Sequence, residues 1–184
     1  ALPLGLLLWD LYRKQVGPNP IEFATRTTGM LTLVFLSLTV AITPLRRIFG
    51  INSIVKFRRM LGLFAFFYGS LHLLTYIWFD RGFNLASSAG DVVQRPFILA
   101  GMTAFLLMVP LAITSTNKMV KRLGGKGWAR LHRLVYFAAI AGVVHFWMLV
   151  KSDIRLPLTF AFIVLFLLGY RLLVKYFPSD VPIS

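Results

Sequence analysis

Long apolar runs separated by short charged connectors dominate this chain, and six of them stand out. The first, Leu2 to Leu11, is too short to cross hydrocarbon, which takes a helix of about 20 residues. It is expected to be the end of a helix that starts upstream of Ala1. The second runs from Phe23 to Thr43 and should stop at Pro44, which lacks the N–H that would continue it. The third runs from Phe57 to Phe79. The fourth runs from Pro96 to Thr116, with a kink expected at Pro110. The fifth runs from Trp128 to Val150 and the sixth from Leu156 to Phe177. Arg171 and Lys175 near the end of the sixth are expected to snorkel to the interface. The pattern predicts an all-α integral membrane protein: a six-helix transmembrane bundle, its first helix truncated, forming a single domain over residues 1–184.

Composition agrees. The chain is 58% hydrophobic with a mean hydropathy of +0.76, more apolar surface than a soluble domain of this size can hide. The absence of cysteine excludes thiolate-held iron–sulfur clusters, thiolate zinc sites and disulfides.

Charge orients the bundle. The net charge is +14, but the basic residues sit in connectors between spans, which argues against nucleic acid as partner. The stretch 45–59 holds Arg46, Arg47, Lys56, Arg58 and Arg59 with no acid. The stretch 117–133 holds Lys118, Lys121, Arg122, Lys126, Arg130 and Arg133, again with no acid. The alternate connectors carry Asp10, Glu22, Asp80, Asp91 and Asp153, five of the six acids. By the positive-inside rule the two basic connectors face the cytoplasm. The third and fifth segments then run from inside to outside, with Trp78 and Trp147 near their outer ends as interfacial anchors. Gly124-Gly125-Lys126-Gly127 lacks the strand and spacing of a phosphate loop and is expected to be a flexible loop.

The chemistry-bearing residues at membrane depth are three histidines, His72, His132 and His145. Arg59 precedes His72 by 13 residues, and His132 precedes His145 by the same 13. Each interval covers about 20 Å of helix axis. If Arg59 and His132 start level, His72 and His145 finish level, in the outer half of the membrane. Two imidazoles facing one another at one depth suit the two axial positions of a haem iron, held between the third and fifth segments. With no Cys-x-x-Cys-His, the haem would be b-type. His132 lies near the inner boundary opposite Arg59. It would ligate a second haem, contact a flavin or quinone headgroup, or be an ordinary interfacial histidine. Thirteen residues are 3.6 helical turns, so His132 and His145 do not share a face of a straight helix. Arg58 and Arg59, at the start of the His72 helix, are candidates to pair with haem propionates or a flavin phosphate.

Three stretches carry a resemblance. They are Thr28-Gly29 followed by Leu38–Arg46 (LTVAITPLR), Arg58-Arg59-Met60-Leu61-Gly62 leading to Leu71-His72-Leu73-Leu74-Thr75-Tyr76, and Thr114-Ser115-Thr116 leading to Trp128–Tyr136 (WARLHRLVY) and His145-Phe146-Trp147. The chain resembles the MsrQ-type haem-binding membrane subunits of bacterial periplasmic protein-methionine-sulfoxide reductase systems, within the ferric-reductase-like transmembrane group. The resemblance extends from residue 25 to 176. It implies one or two b-type haems, electrons taken from the quinone pool or a cytosolic flavin reductase, and delivery across the bacterial inner membrane to a periplasmic molybdopterin methionine-sulfoxide reductase. FMN binding is also attributed to this family. Related NADPH oxidases commonly carry two histidines on each of two helices, whereas the third segment here carries one. Two other readings stay open: a ferric reductase or superoxide producer of the same fold, and a haem-free proton-coupled transporter using His72 and His145 as a relay.

Overall fold

The computed structural model describes residues 2–13 and 18–176, which form eight α-helices and no strand. They are α1 Leu2–Tyr12, α2 Pro20–Phe49, α3 Phe57–Thr75, α4 Leu85–Gln94, α5 Pro96–Ile113, α6 Asn117–Leu131, α7 Leu134–Leu149 and α8 Arg155–Tyr176. Phe177, the expected end of the sixth segment, lies outside the described residues. Four spans are long and apolar enough to cross a membrane, and the bent pair α6–α7 makes a fifth. The α1 helix has 11 residues, short of the length a span needs.

The exterior supports a lipid environment. Leu106, Phe137, Phe162 and Leu165 are each more than half exposed, as expected where acyl chains replace water around a bundle. Several hydroxyl groups within the spans bond the preceding turn: Thr32 donates to the Thr28 carbonyl, Thr39 to Phe35 and Ser70 to Phe66. The core joins Leu33, Leu36 and Val40 of α2, Ala65 of α3, Met108 and Leu111 of α5, Val135, Ala138 and Val143 of α7, and Val164 of α8. Ala65, Ala138 and Ala139 are fully buried; side chains this small let helix backbones approach closely without water to drive association.

Several sequence expectations are corrected. The α2 helix does not stop at Pro44 but continues to Phe49 with Pro44 buried inside it. Proline at 44 removes the N–H that would bond the Val40 carbonyl. Arg171 of α8 replaces that donor, its Nη2 lying 2.7 Å from the Val40 oxygen. The same guanidinium donates through Nη1 to the Tyr136 hydroxyl and stacks over that ring. Arg171 therefore turns into the bundle rather than snorkelling out. The stretch 117–133 is not a loop but mainly α6, which turns sharply at Gly124, whose φ of +70° favours glycine. The expected fifth segment is broken: α6 ends at Leu131, α7 begins at Leu134, and their axes differ by 42°.

Candidate functional site

The α2–α3 and α5–α7 hairpins are the most closely packed helix pairs, and each delivers one histidine to the same place. His72 of α3 and His145 of α7 stand with ring centroids 6.0 Å apart and planes 77° apart. Thirteen residues earlier on each strand of the arrangement, Arg59 and His132 line one small cavity. Arg59 at the start of α3 and His132 at the end of α6, just before α7, thus lie together at one end, as His72 and His145 do at the other.

The two imidazoles are held in matching ways. His72 Nδ1 lies 2.9 Å from the Thr25 carbonyl of α2. His145 Nδ1 lies 2.6 Å from the Phe97 carbonyl of α5. A carbonyl only accepts, so Nδ1 of each neutral ring carries the proton and Nε2 carries the lone pair. This is the second-shell arrangement that fixes tautomer and orientation in metal-ligating histidines. Four residues past each carbonyl sits a glycine. A Cβ on Gly29 would come within 3.0 Å of the His72 ring, and one on Gly101 within 2.7 Å of His145 Nδ1. Each ring therefore packs its Nδ1 side closely against a helix backbone that lacks a side chain there.

The spacing suits an iron between the rings. At a metal–nitrogen bond of ~2 Å, with about 1 Å more from nitrogen to ring centre, two trans imidazoles have centroids roughly 6 Å apart. The observed 6.0 Å matches. Among the described residues no group of three or more His, Asp or Glu converges, so the donor set is two neutral nitrogens, which suits a tetrapyrrole-held iron better than a bare ion. These residues fit a b-type haem.

The outer end of this site is tied by a polar cluster. Beyond His72, α3 widens into a π-helical turn, Tyr76–Asp80. Asp91 of α4, 6% exposed, accepts from the Tyr76 hydroxyl, pairs with Arg81, and lies 3.1 Å from Arg95 Nε. Tyr76 is one turn past His72, and Arg95 comes two residues before Phe97, whose carbonyl orients His145. The cluster thus spans both halves of the histidine site.

His132 is differently situated. It caps the C-terminus of α6, and the break that follows explains why it need not share a straight-helix face with His145. Its ring stacks on Trp128 at 3.8 Å between centroids. Its Nε2 is 3.1 Å from the Thr114 hydroxyl. That hydroxyl spends its one proton on the Pro110 carbonyl at 2.6 Å, so it accepts from His132 and Nε2 is the protonated nitrogen. Trp128 Nε1 in turn donates to the Thr114 carbonyl at 2.9 Å. Arg58 and Arg59 line the same cavity, about 40 Å³ in volume, with Thr39 and Gly62. Arg59 also donates to Asn117 at 2.6 Å.

The sequence reading brought His72 and His145 to one place and Arg58, Arg59 and His132 to another, and both groupings are present. It did not find the glycines, the orienting carbonyls, the Asp91 cluster or Thr114. One signal for the first two was available. Thr25 precedes His72 by 47 residues and Phe97 precedes His145 by 48, a near-repeat of carbonyl, glycine and histidine across the two hairpins.

The ferric reductase like transmembrane component family matches residues 28–143. The protein-methionine-sulfoxide reductase heme-binding subunit MsrQ of Herminiimonas arsenicoxydans is 54% identical over 172 residues, 92% of this chain and 79% of the relative. The protein of the same name from Ralstonia nicotianae is 51% identical over 157 residues, covering 84% and 72%. That from Rhodospirillum rubrum is 52% identical over 157 residues, covering 85% and 76%. No solved structure matches the chain. Identity at this level over most of both chains, with several apolar spans in a bundle, means that the chain is a multi-pass membrane protein belonging to the MsrQ family, within the ferric-reductase-like transmembrane components.

Proposed function

We propose that this chain is the membrane electron-transfer subunit of a protein-methionine-sulfoxide reductase system, holding b-type haem between α3 and α7. The observation that carries the reading is the His72–His145 pair, with both Nδ1 protons committed to backbone carbonyls and the rings at the separation an iron between them requires. The printed names of the relatives, heme-binding subunits of such systems, support it.

Haem bound there supplies a one-electron redox couple in a low-dielectric interior. His72 and His145 would hold it through Nε2, while the Thr25 and Phe97 carbonyls keep each ring in the ligating tautomer. Gly29 and Gly101 let the rings sit back against α2 and α5. At the basic end, His132 would serve a second haem or the entry of electrons from the quinone pool or a cytosolic flavin reductase. Arg58 and Arg59 would offset the negative charge of propionates, or of an FMN phosphate, at that entry. Electrons would leave at the outer end, across the bacterial inner membrane, to a periplasmic molybdopterin methionine-sulfoxide reductase that repairs oxidised proteins.

The absorption spectrum of the purified protein, with haem stoichiometry by pyridine haemochrome, tests this reading. Expression with ample haem should give a Soret band that His72→Ala and His145→Ala each abolish or strongly diminish. His132→Ala should keep at least one haem and slow its reduction from the basic side. Protein that stays haem-free under those conditions would reject the reading.

A further inference from the structure

A groove of about 830 Å³ runs along the outside of α3, separate from the histidine pair. One stripe forms its floor: Lys56, the N-cap of α3, and Arg59 at the basic end, then Leu63 and Phe67 of α3. Leu4 of α1 and Asn117 at the start of α6 complete its sides. From Lys56 to Phe67 is 11 residues, about 16 Å of axis. That is close to half of a hydrocarbon core of ~30 Å, so the groove is the depth of one leaflet.

Its polarity is graded like an amphiphile. The two cations stand at the mouth, and the apolar wall continues inward from them. Among the described residues neither cation has an acidic partner. The Lys56 ammonium sits over the Phe57 ring at 5.4 Å. Arg59 gives one of its five donors to Asn117 and lines the groove with the rest of its guanidinium. Among the described residues no acid lines the groove, so the ammonium of a zwitterionic headgroup would find no counter-charge there, whereas a phosphate without one would find two cations. Basic pockets at the cytoplasmic ends of transmembrane helices bind anionic headgroups by this chemistry.

We propose that this groove is a binding site for an anionic phospholipid of the leaflet at the basic end, with its phosphate at Lys56 and Arg59 and an acyl chain along Leu63 and Phe67. The groove does not include His72 or His145, and of its two cations it shares only Arg59 with the His132 cavity. Leu4 forms part of its wall, so the bound lipid holds α1 against the bundle.

The test uses the full chain, transferred from detergent into nanodiscs containing equal dioleoylphosphatidylglycerol and dioleoylphosphatidylcholine, then released and examined by native mass spectrometry. Phosphatidylglycerol should be retained roughly thirtyfold over phosphatidylcholine, as two cations near the surface would produce. Lys56→Gln/Arg59→Gln should remove that preference, and Lys56→Gln alone should reduce it. Leu63→Trp, which leaves the charges intact and fills the wall, should lower retention of both lipids. Lys118→Gln/Lys121→Gln, equal in charge but on α6 outside the groove, should leave the preference unchanged. Equal retention of the two lipids, or an equal loss in the α6 variant, would overturn the proposal. So would displacement of phosphatidylglycerol by ubiquinone that the Lys56→Gln/Arg59→Gln protein retains unchanged.

Discussion

The outer and inner histidine regions are built on opposite plans. The outer pair is made twice over: one histidine, one backbone carbonyl and one glycine from each of two hairpins. The inner region is made once, with His132 already bonded to Thr114, stacked on Trp128 and faced by Arg58 and Arg59. In the outer pair each ring presents its lone pair on Nε2. In the inner region Nε2 holds the proton. A symmetric pair of neutral donors suits two-sided ligation of one iron, and a lone histidine among cations suits an anionic group. The bundle therefore carries two kinds of polar site, separated along α3 by the 13 residues from Arg59 to His72, or ~20 Å.

Substitutions can break or sharpen this contrast. The largest effect is expected at Gly101. Gly101→Ala places a Cβ 2.7 Å from a ring that the Phe97 carbonyl pins, and overpacking of that kind costs about 1–3 kcal/mol. Gly29→Ala meets His72 at 3.0 Å and should cost less. Thermal unfolding in detergent and haem content should rank the two in that order, and equal tolerance of both would remove the argument that the rings need a bare backbone.

Next in size is Asp91→Asn. It leaves Arg81 and Arg95 without their buried carboxylate and loosens the tie between the π turn after His72 and the start of α5. A loss of about 2 kcal/mol is expected. The electron paramagnetic resonance signal of the haem proposed at His72 and His145 should shift as well, because α3 and α5 are no longer tied through this cluster. A melting change with an unaltered signal would confine the cluster to stability.

Arg171→Met should cost about 1–2 kcal/mol by orphaning the Val40 carbonyl and the Tyr136 hydroxyl. Pro44→Ala restores a backbone donor for Val40, so it should recover part of that loss in the Arg171→Met background. Additive effects in the double variant would show that Arg171 does not stand in for the missing N–H. The smallest effect is expected from Thr114→Val, about 1 kcal/mol. It removes the acceptor from His132 Nε2 and should leave the outer haem spectrum unchanged. A changed outer spectrum would mean that the two regions are coupled rather than separate.

Much of the site was legible because it depends on depth. Equal intervals of 13 residues on co-directional helices put His72 level with His145, whatever the neighbours do. Pro44 misled for an equally physical reason. The cost of a proline inside a helix is one orphaned carbonyl, and nothing near residue 44 reveals that Arg171, 127 residues later in the chain, supplies the missing donor. The same distance in sequence made Arg171 look like a snorkelling residue. The 117–133 stretch read as a loop because its glycines have low helical preference and its cations interrupt the apolar run, yet lysine and arginine are good helix formers and it folds as α6 with its sharp turn absorbed at Gly124.

Sequence alone determined that the chain is helical, which end of the bundle is basic, and that His72 and His145 come to one place. Those properties follow from hydrophobic length, connector charge and rise per residue, all local quantities. Tertiary structure decided which nitrogen of each ring bears its proton, which glycines back the rings, and which partner rescues a broken helical bond. These depend on atoms brought together from hairpins that are far apart along the chain, and no local quantity encodes their meeting.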